Sequence, residues 1–201
     1  MAEPLRFKMG SKVDSAEGLY EGYAVSDNAI IANVSIEKID AVMKSFILMH
    51  NEPVFFILEL PANVKDETES ADGVVEKLHK DVYYIDGCKP EEALMILRIV
   101  GELLYNDGIS SFGFGCHNSG DEIMFGKYNV LTIYSKNIGS YSGFFAPHKV
   151  EPAEKFITAW DIISPENPGH CGRYELYGKT VFDIPGMLRD WGIYLAEQRE
   201  E

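Results

Sequence analysis

An α+β fold, with a mixed β-sheet and helices packed mainly on one of its faces, is what this chain predicts. Two observations carry the prediction. First, two apolar stripes at three- and four-residue spacing each lie between apolar, β-rich runs, giving strand–helix–strand blocks over 29–60 and 81–117. Second, the remainder alternates turn chemistry with short apolar runs, which reads as hairpins tipped by helices. The two blocks match in order and length but not in sequence, so a duplicated unit within one domain over 1–201 is the simplest architecture.

The elements follow in chain order. A strand is expected near 19–25, and a second over 29–34, where Ile30, Ile31 and Val34 are β-branched. Ser35 is placed to cap a helix whose apolar face is Ile36, Ile39, Val42, Met43, Phe46 and Ile47. Pro53 bars its continuation, and residues 53–60 are so apolar that the next strand should be buried on both faces. Residues 61–80 read as an exposed acidic loop, with a helical turn over 74–78, followed by a strand at 81–85. Pro90, Glu91 and Glu92 suit a helix N-terminus, and Leu94, Leu97, Val100 and Leu104 form its stripe. Asn106, Asp107 and Gly108 should end it, with Gly108 free to take the left-handed conformation.

A glycine-interrupted strand at 109–117 is followed by turn chemistry over 118–122, an irregular stretch near Gly126 and a strong strand at 128–134. Residues 136–150 read as a loop. A helix from Pro152 should carry Phe156, Ile157, Trp160 and Ile163 inward, and a Pro/Gly loop fills 164–172. A hairpin turning at Gly178 and Lys179 leads to a final helix capped by Asp183, with Met187, Leu188, Trp191, Tyr194 and Leu195 inward. The tail after Ala196 should fray.

The 201 residues carry a net charge of −14, which opposes binding to nucleic-acid phosphates and to anionic membrane surfaces. It favours a basic protein partner, and a homo-oligomer is compatible with it. The acid is concentrated: residues 65–76 hold Asp66, Glu67, Glu69, Asp72 and Glu76 against Lys65, whereas 101–150 hold four acidic and three basic residues. Three cysteines give no disulfide framework, and the first eight residues lack the apolar core of a secretory signal, so a reducing, cytoplasmic location is expected. No apolar run is long enough to span a bilayer.

Chemistry-bearing constellations are sparse. Cys116–His117 and His170–Cys171 offer four zinc-type ligands, but adjacent strand residues point to opposite faces and the usual gap between ligands is missing, so no metal site is expected. Cys116 among the glycines of 113–120 could serve as a nucleophile if a histidine met it through tertiary contact. Those glycines match no phosphate-loop pattern, no cofactor motif is present, and the glycines are better read as admitting close packing. Asp121 and Glu122 read as solvated turn acids, and Trp160 and Trp191 as core. Tyr128, Tyr134, Tyr141, Phe144 and Phe145 could line a binding surface; core packing is the alternative for the strand members, and Tyr141, Phe144 and Phe145, in a Gly/Ser loop, suit a binding surface or the core equally.

The expected function is therefore non-enzymatic: an acidic protein-binding module, of the class to which a bacterial immunity protein covering a basic toxin would belong. The expected contacts are Asp66, Glu67, Glu69 and Asp72 with His117, Asp121, Glu122, Tyr141, Phe144 and Phe145. A hydrolase-type enzyme built on Cys116 or His117 is the alternative, and a small-ligand sensor with a pocket between helices and sheet is a third reading.

Overall fold

The structure, a computed structural model, describes residues 3–62 and 79–200. The acidic positions Asp66, Glu67, Glu69 and Asp72, and the helical turn expected at 74–78, lie outside the described residues. In chain order the elements are β1 (Ser11–Val13), β2 (Gly22–Val25), β3 (Ala29–Asn33), α1 (Ile36–Met49), β4 (Val54–Pro61), β5 (His79–Cys88) and α2 (Pro90–Asn106). They continue with β6 (Ser111–Cys116), β7 (Asp121–Phe125), β8 (Val130–Tyr134), α3 (Ala159–Ile162), β9 (Gly169–Cys171), α4 (Ile184–Met187) and β10 (Tyr194–Glu200).

The fold is α+β. Eight strands form one sheet in the order β10-β5-β4-β6-β7-β8-β3-β2, and β1 pairs with β9 in a separate two-stranded ribbon. Every neighbouring pair in the large sheet is antiparallel. Both predicted strand–helix–strand blocks are present, but the strands that each helix joins are separated by others: β8, β7 and β6 lie between β3 and β4, and β4 lies between β5 and β6.

The periodic stripes decide which face of the sheet is covered. Ile39, Val42, Met43, Phe46 and Ile47 of α1, with Ala93, Ile96, Leu97, Val100 and Leu104 of α2, are buried against Phe56, Leu58, Phe112, Phe114, Ile123, Phe125, Leu131 and Ile133. Fully burying side chains of this size stabilises by about 1.5–3 kcal/mol each, so this layer holds the fold. The alternate residues of the same strands, among them Ile57, Glu59, Glu122, Met124, Thr132 and Tyr134, face the other way.

Several sequence expectations are corrected. Ser35 stands at the N-cap of α1, but its hydroxyl accepts from the Arg6 N–H at 3.0 Å instead of capping its own helix. Gly108 is not left-handed; it follows the extended Asp107 at the helix end, where a close approach excludes a Cβ. The helix expected from Pro152 is one turn, α3, because Thr158 restarts the chain with its own cap, its N–H donating to Asp161 at 2.7 Å. The region 164–172 is not all loop, since it supplies β9.

The final helix is also a single turn. Asp183 uses its carboxylate to accept from the Thr180 N–H at 2.8 Å, and a 3₁₀ turn at Arg189–Trp191 ends on Gly192 with φ 80°. Tyr194 and Leu195 then leave as β10, which pairs with β5 as the outer strand of the sheet, so the residues after 196 are not a frayed tail. At the opposite end, the outer edge of β2 is bonded to the segment at 151–153: Tyr23 N–H donates to Glu151 O at 3.1 Å, and Ala153 N–H to Tyr23 O at 2.9 Å.

Candidate functional site: the uncovered face of the sheet

Among the described residues, neither long helix covers the second face of the large sheet; the segment at 157–160 closes over one end of it, where Asn33 Nδ2 donates to Ile157 O at 2.7 Å and Trp160 reaches the groove. The middle strand of the sheet, β6, reads Ser-Phe-Gly-Phe-Gly-Cys, and the two glycines fall on this face. A Cβ at Gly115 would stand 2.2 Å from the Phe55 ring, and one at Gly113 would stand 2.0 Å from Ile123 O and 2.6 Å from Met124 Sδ. The glycines therefore let Phe55 and Met124 lie across β6, as the close-packing reading expects. Phe55, Ile57 and Val82 are buried here, with Tyr84 and Met124 packed on them. This explains why β4 reads as a strand buried on both faces.

The result is a groove of about 550 Å³ with an apolar floor and polar walls. One wall is β5 and β10, with Tyr84, Lys80 and Arg199; the other is β8 with Thr132 and Tyr134, together with Trp160 of α3. Glu59 is held between cations: Lys80 Nζ donates to it at 2.8 Å and Arg199 Nη1 at 3.3 Å, while Arg199 Nη2 donates to Glu197 at 2.5 Å. These bonds tie β4, β5 and β10 together across the face.

At one end an aromatic row crosses β4, β5 and β10 from His117, the residue that follows β6. His117 packs on Phe55 at 4.6 Å, Phe55 on Tyr84 at 5.5 Å, and Tyr84 on Tyr194 at 6.5 Å. Asp86 joins its ends, accepting from the Tyr194 hydroxyl at 2.5 Å and lying 3.0 Å from His117 Nε2. The Tyr194 and His117 hydrogen bonds hold the Asp86 carboxyl below its usual range.

Asp121 and Glu122 are not turn acids. The turn closes at Gly120, φ 73°, and both carboxylates belong to β7, on opposite faces. Asp121 points to the helix side, where its Oδ2 meets His50 Nε2 at 3.2 Å and the His50 Nδ1 lies 2.8 Å from Phe46 O. Burial pushes the Asp121 carboxyl up, but hydrogen bonds from Ser135, His50 and Ser119 outweigh it and hold it below the usual range. Glu122 points into the groove, directly across from Tyr134, and makes no hydrogen bond or ion pair within the described residues. Burial first, and then the charge of Glu59, push its carboxyl above the usual range, which Arg199 partly offsets.

Of the other expected contacts, Tyr141 and Phe145 are core residues, 2% and 1% exposed, and Phe144 packs against that core half-buried. Tyr141 stacks on Phe46 at 6.2 Å, and burial with the neighbouring Asp121 charge raises its phenol above its usual value. Trp160, expected in the core, is 55% exposed, whereas Trp191 is half-buried against the core.

The cysteine and histidine constellations are not brought together. Cys116 is 1% exposed, and its thiol faces Pro53 O at 3.9 Å. His117 lies on the groove side, and His170 meets Asp14 at 3.5 Å beside the separate ribbon. A thiol buried in this way offers a substrate no approach. Among the described residues no cluster of three or more His, Cys, Asp or Glu could hold a metal ion, and no helix is long and apolar enough to cross a membrane. The space between helices and sheet, where a ligand pocket was a third expectation, is filled by core side chains.

Sequence reading raised Tyr134 as a binding-surface candidate but missed Tyr84, Trp160, Lys80 and Arg199 as its neighbours. The signal available was the alternation in β4, β7 and β8, whose outward residues are too apolar or aromatic for an ordinary wet face. Comparison with family models, curated proteins and solved structures finds no match to this chain.

Proposed function

We propose that the chain is a protein-binding module that docks a basic partner on the uncovered face of its sheet, in the manner of an immunity-type protein that covers the working surface of a toxin. The observation that supports this is the grooved, aromatic-walled face itself. Large rings that remain half in solvent, Tyr134 at 50%, Tyr194 at 47% and Trp160 at 55%, surround a buried apolar floor. Interfaces favour this composition, because tyrosine and tryptophan supply contact area at low cost in conformational entropy. The six strands from β10 to β8, about 4.8 Å apart and about 17 Å long, present roughly 500 Å² before side-chain relief is counted, toward the roughly 800 Å² each partner contributes to a standard interface. The net charge of −14 selects a basic partner and speeds its encounter.

The test uses a partner captured from native lysate, identified and purified. Thr132→Arg places a long charged side chain in the groove; Ile99→Arg places the same side chain on the outer surface of α2, where Ile99 is 39% exposed. Thr132→Arg is expected to weaken binding by at least about a hundredfold and Ile99→Arg by less than about threefold, with both variants folded. The reverse pattern would move the interface to the helices and overturn the proposal.

A further inference from the structure

In the groove the carboxylate of Glu122 has no hydrogen-bond or ion-pair partner among the described residues. Glu122 stands on a floor strand, its cross-strand neighbour is Tyr134, and Tyr84 and Trp160 line the same groove. Two of the cations that line the groove are bonded to other carboxylates: Lys80 to Glu59, and Arg199 to Glu59 and Glu197. Asp121, the adjacent residue, shows the contrast, since on the other face it meets His50 and is held by hydroxyl groups.

A half-buried carboxylate with no bonded partner loses hydration with only the Arg199 charge in partial compensation, and so destabilises the free protein. Aromatic rings beside it add negative ring faces, which attract a flat cation. A guanidinium satisfies both features: it can bind a carboxylate through two parallel N–H groups while stacking on a tyrosine or tryptophan face. An ammonium is a more strongly hydrated point charge and gains less from the rings.

We propose that Glu122, between Tyr134 and Tyr84, is the receptor for an arginine side chain of the docked partner. This rests on the docking reading above and specifies the chemistry at its centre. The arginine enters from the open side of the groove, its guanidinium pairs with the carboxylate, and its methylene stem lies on Met124 and Ile57. No covalent step is involved. The site carries specificity because a partner lacking that arginine would seal Glu122 against an apolar surface with its charge uncompensated.

The experiment titrates the full chain with N-acetyl-arginine amide and, separately, with its neutral isostere N-acetyl-citrulline amide, following backbone amide and tyrosine ring resonances. The arginine compound is expected to shift Gly113, Gly115, Glu122 and Tyr134 together, and the citrulline compound to leave them in place. Glu122→Gln, which keeps the shape and removes an unpaired charge, should stay folded and bind the arginine compound at least about tenfold more weakly. Equal shifts with citrulline, an unchanged response in Glu122→Gln, or shifts spread over surface acids away from the groove would each overturn the proposal. If the titration fails while Thr132→Arg still abolishes binding of the purified partner, the arginine receptor is wrong and the docking face stands. If Thr132→Arg leaves partner binding intact, the docking reading fails, and the receptor proposal falls with it.

Discussion

At the scale of single residues, the chain places a second charge where water is scarce and treats it differently from Glu122. Lys8 is 1% exposed, yet its Nζ donates to Gly126 O at 2.9 Å and lies 4.8 Å from the centre of the Phe125 ring. Burial lowers its pKa from the ordinary 10.5 to about 8, against the pull of the Asp107 and Cys171 charges. Between those values the unfolded chain holds a proton that the folded chain has released, so stability rises with pH through this window. The cost of the buried charge is fully present below about pH 8. A separation of this size is worth about 3 kcal/mol. Urea unfolding of wild type and Lys8→Met at pH 8 and at pH 10.5 should therefore show wild type gaining about 3 kcal/mol relative to the variant. Stabilities that change in parallel would show that Lys8 is charged and solvated in the fold.

Residue-level reading of the sequence succeeded where backbone sterics ruled. The glycines of β6 were legible as close-packing sites, and Cys116 and His117 as opposite-facing neighbours. It failed for Glu122, because the turn-forming run of Asn118, Ser119 and Gly120 extends without a compositional break into Asp121 and Glu122, and only pairing with β6 and β8 makes those two acids strand residues.

At the scale of elements, the two long helices were legible because each has a sustained apolar stripe and a proline at one boundary. β10 was not. Its residues, Tyr-Leu-Ala-Glu-Gln-Arg-Glu, have poor strand propensity, and Met187, Leu188, Trp191, Tyr194 and Leu195 imitate a helical stripe across Gly192. Hydrogen bonding to β5 overrides that local preference.

The junction after α2 was hidden for a similar reason, since it depends on segments far apart in sequence. Gly10 N–H donates to Asn106 O at 2.7 Å, Gly108 N–H to Gly172 O at 2.9 Å, and Gly172 N–H to Gly10 O at 2.7 Å. A Cβ on Gly108 would stand 1.8 Å from Gly10 O, with backbone on both sides, whereas a Cβ on Gly172 meets nothing within 4 Å. Gly108→Ala should lower unfolding free energy by more than about 3 kcal/mol, and Gly172→Ala by less than about 1 kcal/mol, in chemical denaturation. Equal losses would mean that the crossing is looser than these distances show.

At the scale of the whole molecule, the sheet has one dry face and one face that is dry only at its floor. The helices account for the first. The second is what the docking proposal addresses: an apolar floor, exposed rings at its margins and a carboxylate that is unpaired among the described residues are features that a docked surface would cover. The fold class was legible from periodicity, but the face was not, because its residues come from β4, β5, β7, β8, β10 and α3, and no local pattern joins them.

Side-chain footprinting shows which face of the sheet a partner covers. Hydroxyl-radical labelling of the chain, alone and with its purified partner, reports the exposure of individual rings and sulfurs. The account predicts strong protection of Trp160, Tyr134 and Tyr194 on the groove side, with Met95 on α2 and Tyr177, which is 96% exposed, labelled as in the free chain. Protection of Met95 with unchanged labelling of Trp160 and Tyr134 would place the partner on the helices and contradict it.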